Sequence, residues 1–163
     1  MSGRRHIQPG DLADEIGKAT PFDHPAQEAY LNLVRTRSVL SEHFARPLRE
    51  HGLTESQYNL LRIVESAGAE GIRTEDIRER LVERGPDVTR LVDRLEGRGL
   101  IRRTTDPGDR RVRRIQVETE GVRLLEAIRP KLDRIHDQHL SHLSDADLAA
   151  LNRLLFLARH PDS

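Results

Sequence analysis

The chain contains no cysteine, which removes disulfide frameworks, thiol redox sensing, cysteine-ligated zinc fingers and cysteine nucleophiles together. Aromatic residues are nearly as scarce, with no tryptophan, two tyrosines and three phenylalanines in 163 residues. Folds that bind single strands by stacking bases on aromatic platforms need more than that. No apolar run is long enough to span a bilayer, and the first twenty residues lack the apolar core of a signal peptide. The expected compartment is therefore the cytoplasm, with no membrane partner. Catalytic signatures are missing too: there is no nucleophile elbow, Walker loop, dinucleotide fingerprint or His-Glu-x-x-His. Neither an enzyme nor a cofactor is expected.

What the chain does have is charge. Charged residues make up 33% and hydrophobic ones only 36%, a balance that often completes its core by pairing with a second copy. Net charge is zero, yet it is unevenly placed. From Arg84 to Arg114 ten arginines face five acids, a net of +5, which leaves −5 for the remainder. Such asymmetry is expected of a polyanion-binding surface on an acidic body.

Periodicity divides the chain into an N-terminal arm (1–24), a first helix (25–52), a central lobe (53–118) and C-terminal helices (119–163). The arm is polar, with at most a helical turn at Asp11 to Ile16. Pro25 to about Glu50 follows the helical template, with Pro47 expected to kink or loosen its last turn. Thr54 and Gln57 form a capping box before a second helix. Thr74 is expected to cap a third helix, with Ile77, Leu81 and Val82 facing inward and Gly85-Pro86 as the stop. Val88, Leu91, Val92 and Leu95 then mark a short helix starting near Pro86, with Gly99 placed for a left-handed cap. After Gly99 the period changes: Leu100–Thr104 and Val112–Val117 are β-branched, arginine-rich runs around Asp106-Pro-Gly-Asp109, which predicts a β-hairpin. A further helix from Thr119–Gly121 carries Pro130, where a bend is expected, and Ser144 caps a last, leucine-rich helix.

Two helices across a short turn, followed by a basic hairpin, suit double-stranded DNA. A helix fits the major groove, and an arginine there forms bidentate bonds to guanine. Asp87, Thr89, Arg90 and Arg94 are the candidate major-groove residues, with Asp93 an ambiguous neighbour that holds Arg90 or Arg94 in place. Asp109, Arg110 and Arg111 sit at the hairpin tip, where an arginine projects into the minor groove. Arg102, Arg113 and Arg114 are candidate phosphate contacts on the strands. Taken singly, such residues are more often a solvated surface.

Here the sequence resembles a known family. Leu48–Tyr58, Val88–Glu96, Arg98–Ile101 and Asp106–Arg111 are similar to the MarR family of bacterial regulators, and the resemblance runs from about Ala29 to Leu157. It implies a mainly α, winged helix-turn-helix fold with a small β-hairpin wing, in a six-helix dimeric architecture. It further implies a homodimer joined through the first and last helices, recognition helices in successive major grooves of a palindromic operator, and repression released by a small aromatic or phenolic ligand. Tyr30, Leu33, Leu132, Ile135, Leu148, Leu151 and Leu155 are the candidate dimerisation residues. One departure is Val117-Glu118-Thr119, where the family usually has Leu-Thr before the helix, so the cap of that helix is displaced.

Other readings weigh less. His136, His139 and His142 invite a metal, but three ligands on one straight helix do not converge on a tetrahedral ion, and none is assigned. Phe44, Tyr58 and His51 lie where a ligand pocket is conceivable, although core packing suits the first two better. The rival of another class is a winged-helix protein-interaction module without DNA binding. The arginines of the helix and hairpin speak against it.

Overall fold

The computed structural model describes residues 12–106, 108 and 112–161. The predicted wing residues Asp109, Arg110 and Arg111 lie outside the described residues. The chain divides into two compact units, residues 1–42 and 43–163. The boundary falls within a long helix.

The first unit holds helix α1 (Leu12–Glu15) and the first part of α2 (Pro25–Glu50). Arg35 Nε donates to Glu15 Oε1 at 2.8 Å. Lys18 Nζ donates to the Thr20 and Pro21 carbonyls and to the Thr20 hydroxyl, so the stretch after α1 has its own local ties. Tyr30, Leu33, Val34 and Val39 are exposed along α2.

The second unit is a mainly α winged helix-turn-helix lobe with two following helices. Its elements are α3 (Glu55–Ser66), β1 (Ile72–Arg73), α4 (Thr74–Arg80), α5 (Val88–Glu96), β2 (Ile101–Thr105), β3 (Arg113–Val117), α6 (Thr119–Leu140) and α7 (Asp145–Arg159). The predicted hairpin forms, with Ile101 opposite Val117 and Thr105 opposite Arg113. The sheet has a third strand that the periodicity did not announce, because β1 is only two residues long; the order is β1-β3-β2, antiparallel throughout. One apolar cluster joins α3, α4, α5, the sheet and α6, with Leu60, Ile77, Leu95, Ile115 and Leu125 wholly buried.

The capping box at Thr54 is present, Gln57 N donating to Thr54 Oγ1 and Thr54 N to Gln57 Oε1. Ser144 and Asp147 form a second one at the start of α7. Elsewhere the helix ends move. Thr74 is the first helical residue rather than the cap, because Ile72 and Arg73 pair with β3 and extended Arg73 takes the cap position with no side-chain bond. α4 stops at Arg80, so Leu81 is extended yet buried, and Val82 points to solvent at 80% exposure instead of inward. Pro86 stays outside α5, whose cap is Asp87. Both α2 and α6 run unbroken through Pro47 and Pro130. Their neighbours Leu48, Ile128 and Leu132 are buried in the core, and that packing holds the turns that proline weakens.

Leu132 and Ile135, expected at a dimer contact, are 7% and 8% exposed and belong to the core of their own chain. The apolar stripe of α6 is consumed by packing inside the unit, where α6 lies against α3.

Candidate nucleic-acid interface

Helix α5 buries Val88, Leu91, Val92 and Leu95 and leaves Thr89, Arg90, Asp93 and Arg94 exposed. Packing of the first set thus fixes which way the second set points. The Asp87 carboxylate accepts from Arg90 N at 3.2 Å, capping the helix, and its second oxygen lies 3.1 Å from Arg90 Nε. With the Arg90 side chain 80% exposed, this ion pair adds little to stability and does not prevent the guanidinium from reaching a base. Arg94 is without an ion-pair or hydrogen-bond partner among the described residues. Arg90 and Arg94 are one turn apart on a rigid helix, the spacing that two neighbouring base contacts need.

Asp93 is held differently from the expectation. Its partner is Arg103 on β2 rather than a neighbour on its own helix. The Arg103 guanidinium forks across Asp93 and Glu96, and Arg103 N donates to Glu96 Oε1 at 3.0 Å. The hydrogen bond that Arg103 donates to Asp93 leads the causes that raise the Arg103 pKa. One strand residue therefore pairs with two carboxylates of α5, offsetting one of their two charges, and fixes the helix against the sheet. The sequence does carry a signal for this: alternation along β2 puts Arg103 on the same face as buried Ile101, where an arginine needs a partner.

The strand arginines separate into two kinds. Arg113 is exposed and donates to Thr105 Oγ1 at 2.8 Å, and Arg102 is exposed and rests on Gln116 Oε1 and Glu118. Arg114 is anchored: it pairs with Asp106, which is 8% exposed, and donates to the carbonyls of Glu70 and Gly71. The bond to Asp106 leads the causes that push the Arg114 pKa up. Arg114 thus ties the root of the hairpin to the segment before α4. Arg98, unassigned from sequence, donates to Gly52 O at 2.7 Å and His51 O at 3.0 Å.

The remaining residues of interest lie elsewhere in the second unit. The His139 ring packs on His43 with centroids 4.0 Å apart, and His136 on Phe44 at 4.8 Å. Among the described residues no three histidine or acidic side chains gather in a way that holds a metal ion. Phe44 and Tyr58 pack partly buried against the core. Leu148 and Leu155 are half-buried on α7, while Leu151, Leu154, Phe156 and Leu157 are exposed. No helix among the described residues is long and apolar enough to cross a membrane.

Comparison with known proteins places this arrangement. Residues 53–112, which include α3, α4, α5 and the first strand of the hairpin, match the model of the MarR family. A MarR transcription factor from Planctomyces limnophilus is 38% identical, with 83% of this chain and 98% of that one covered at a TM-score of 0.63. MepR from S. aureus, solved in complex with DNA, is 27% identical over 78% of this chain and 93% of its own, with a TM-score of 0.69. CouR from Rhodococcus jostii RHA1, solved bound to p-coumaroyl-CoA, is 25% identical over 87% and 99%, with a TM-score of 0.70.

Proposed function

The chain belongs to the MarR family of DNA-binding transcriptional regulators, and from that premise we propose that it reads a palindromic operator as a homodimer and represses until a small aromatic ligand releases it. The observation that carries the reading is α5: a helix fixed by four buried side chains that presents Arg90 and Arg94 one turn apart to solvent. Thr89 serves a phosphate or a thymine methyl, and Asp87 holds the helix start and Arg90 in register. Arg102 and Arg113 lie exposed on the hairpin for phosphates, and Asp109, Arg110 and Arg111 are assigned to the adjoining minor groove. Arg114 braces the hairpin from within.

Dimerisation is assigned to the exposed apolar side chains of α2, Tyr30 and Leu33, and separately to Leu148, Leu151 and Leu155 of α7. A monomer that leaves such residues in water gains by covering them with a second copy. The ligand assignment leans on the R. jostii relative bound to p-coumaroyl-CoA, and the operator assignment on the S. aureus relative bound to DNA. The chain acts in the cytoplasm, catalyses nothing and needs no cofactor in this reading.

Binding through half a dozen phosphate contacts should fall about a thousandfold between roughly 50 and 200 mM salt. A titration of labelled duplex across that range checks it; affinity indifferent to salt favours the protein-interaction module instead. Arg103→Ala is expected to weaken DNA binding about tenfold at fixed salt, because it frees two carboxylates on the helix that faces the phosphates. The double variant Asp93→Asn/Glu96→Gln on the Arg103→Ala background should recover part of the loss. An Arg103→Ala protein that binds as well as wild type would refute the neutralising role.

A further inference from the structure

The exit of α5 is held in a closed circuit of contacts. Arg98, two residues beyond the helix, donates through both Nη atoms to the carbonyls of His51 and Gly52. Those carbonyls follow the last turn of α2, where backbone acceptors lack partners within the helix and a cation meets the negative end of the dipole. Helix α6 grips the same turn: Lys131 Nζ donates to Glu50 Oε2 at 3.0 Å and lies 3.2 Å from His51 Nε2. The start of α6 returns to the exit of α5, since Glu118 N donates to Leu100 O at 3.0 Å and Gly121 is packed directly beneath that carbonyl. Gly99, at φ +69°, makes the tight turn that brings Leu100 there.

We propose that Arg98 is a positioning residue for DNA reading, which passes the placement of the α2 end and α6 on to α5 without touching DNA. The proposal rests on the DNA-binding reading above. With Leu100 fixed to α6, a shift of α6 along the end of α2 breaks the Lys131 bond and must then either break the Arg98 bonds or tilt α5. Arg98 is exposed, so the core does not depend on it. Its planar fork bonds two carbonyls at once, whereas a lysine ammonium at the same place engages one.

The test uses a duplex enriched from a random pool by the wild-type protein, with affinity measured by fluorescence anisotropy over a salt series. Arg98→Ala should bind about tenfold more weakly, with Arg98→Lys in between and the salt slope unchanged. Lys131→Met should weaken binding less, and the double variant Arg98→Ala/Lys131→Met should be no weaker than Arg98→Ala alone, because both bonds hold one turn. Wild-type affinity in Arg98→Ala, or fully additive losses in the double variant, overturns the proposal. So does a salt slope shallower by about 0.9, which marks a direct phosphate contact. A wild-type protein that enriches no duplex sinks the DNA-binding premise and the proposal with it.

Discussion

Arg90→Ala is expected to weaken operator binding by roughly 10- to 100-fold for each half-site and to flatten the base preference at one position of each. The range follows from the loss of one bidentate contact to a base, worth about 1–3 kcal/mol. The fold should not suffer. The side chain is 80% exposed, and the cap survives because the bond to Asp87 comes from the backbone N–H of residue 90. The variant therefore separates reading from folding. Selection of bound sequences by wild type and variant, alongside thermal melts of both, checks it. Unchanged affinity and preference would remove Arg90 from the major groove.

Gly121→Ala is expected to act in the opposite way, through the fold. A Cβ at this position would lie 2.3 Å from Leu100 O and 2.9 Å from a Val117 methyl. The first of these is backbone and accepts from Glu118 N, so it cannot swing aside like a flexible side chain. Relief requires the start of α6 to move off the turn that ends α5. Forcing atoms into so tight a contact should cost on the order of 3 kcal/mol. For a chain of this size that corresponds to a fall in Tm of about 10 °C. Calorimetry of the variant measures it directly, and a melt within a degree or two of wild type would show that α6 is less firmly seated than the contacts imply.

Much of this was legible in the amino-acid sequence because its signals are local. Val88, Leu91, Val92 and Leu95 repeat at helical spacing, and they are the residues that bury α5. Thr54 with Gln57 and Ser144 with Asp147 announce their helices by cap chemistry that needs no tertiary context. The failures share a different origin: each depended on what lay across the fold. Thr74 lost the cap position because β1 pairs with β3, a contact between residues more than forty apart in sequence. Val82 faces inward only if the period of α4 extends past Arg80, where the helix ends.

The basic segment teaches the same lesson for the site. Counting arginines located the surface, but it did not distinguish those that face solvent from those that brace. Arg90 and Arg94 stand free of the core, whereas Arg98, Arg103 and Arg114 are turned to backbone carbonyls or to acids of their own chain. Strand alternation from Ile101 pointed to Arg103. Arg98 opens one of the motifs of the family resemblance, but nothing in the sequence shows its role, because its partners lie 46 and 47 residues away.

A dimer that presents two copies of α5 to one duplex imposes its symmetry on the sequences it selects. Selection of bound sequences from a random duplex pool by the purified wild-type protein should therefore yield an enriched palindrome whose half-sites are centred about one helical turn apart. An enriched single half-site with no inverted repeat would contradict the dimer, and no enrichment at all would contradict sequence-specific DNA reading.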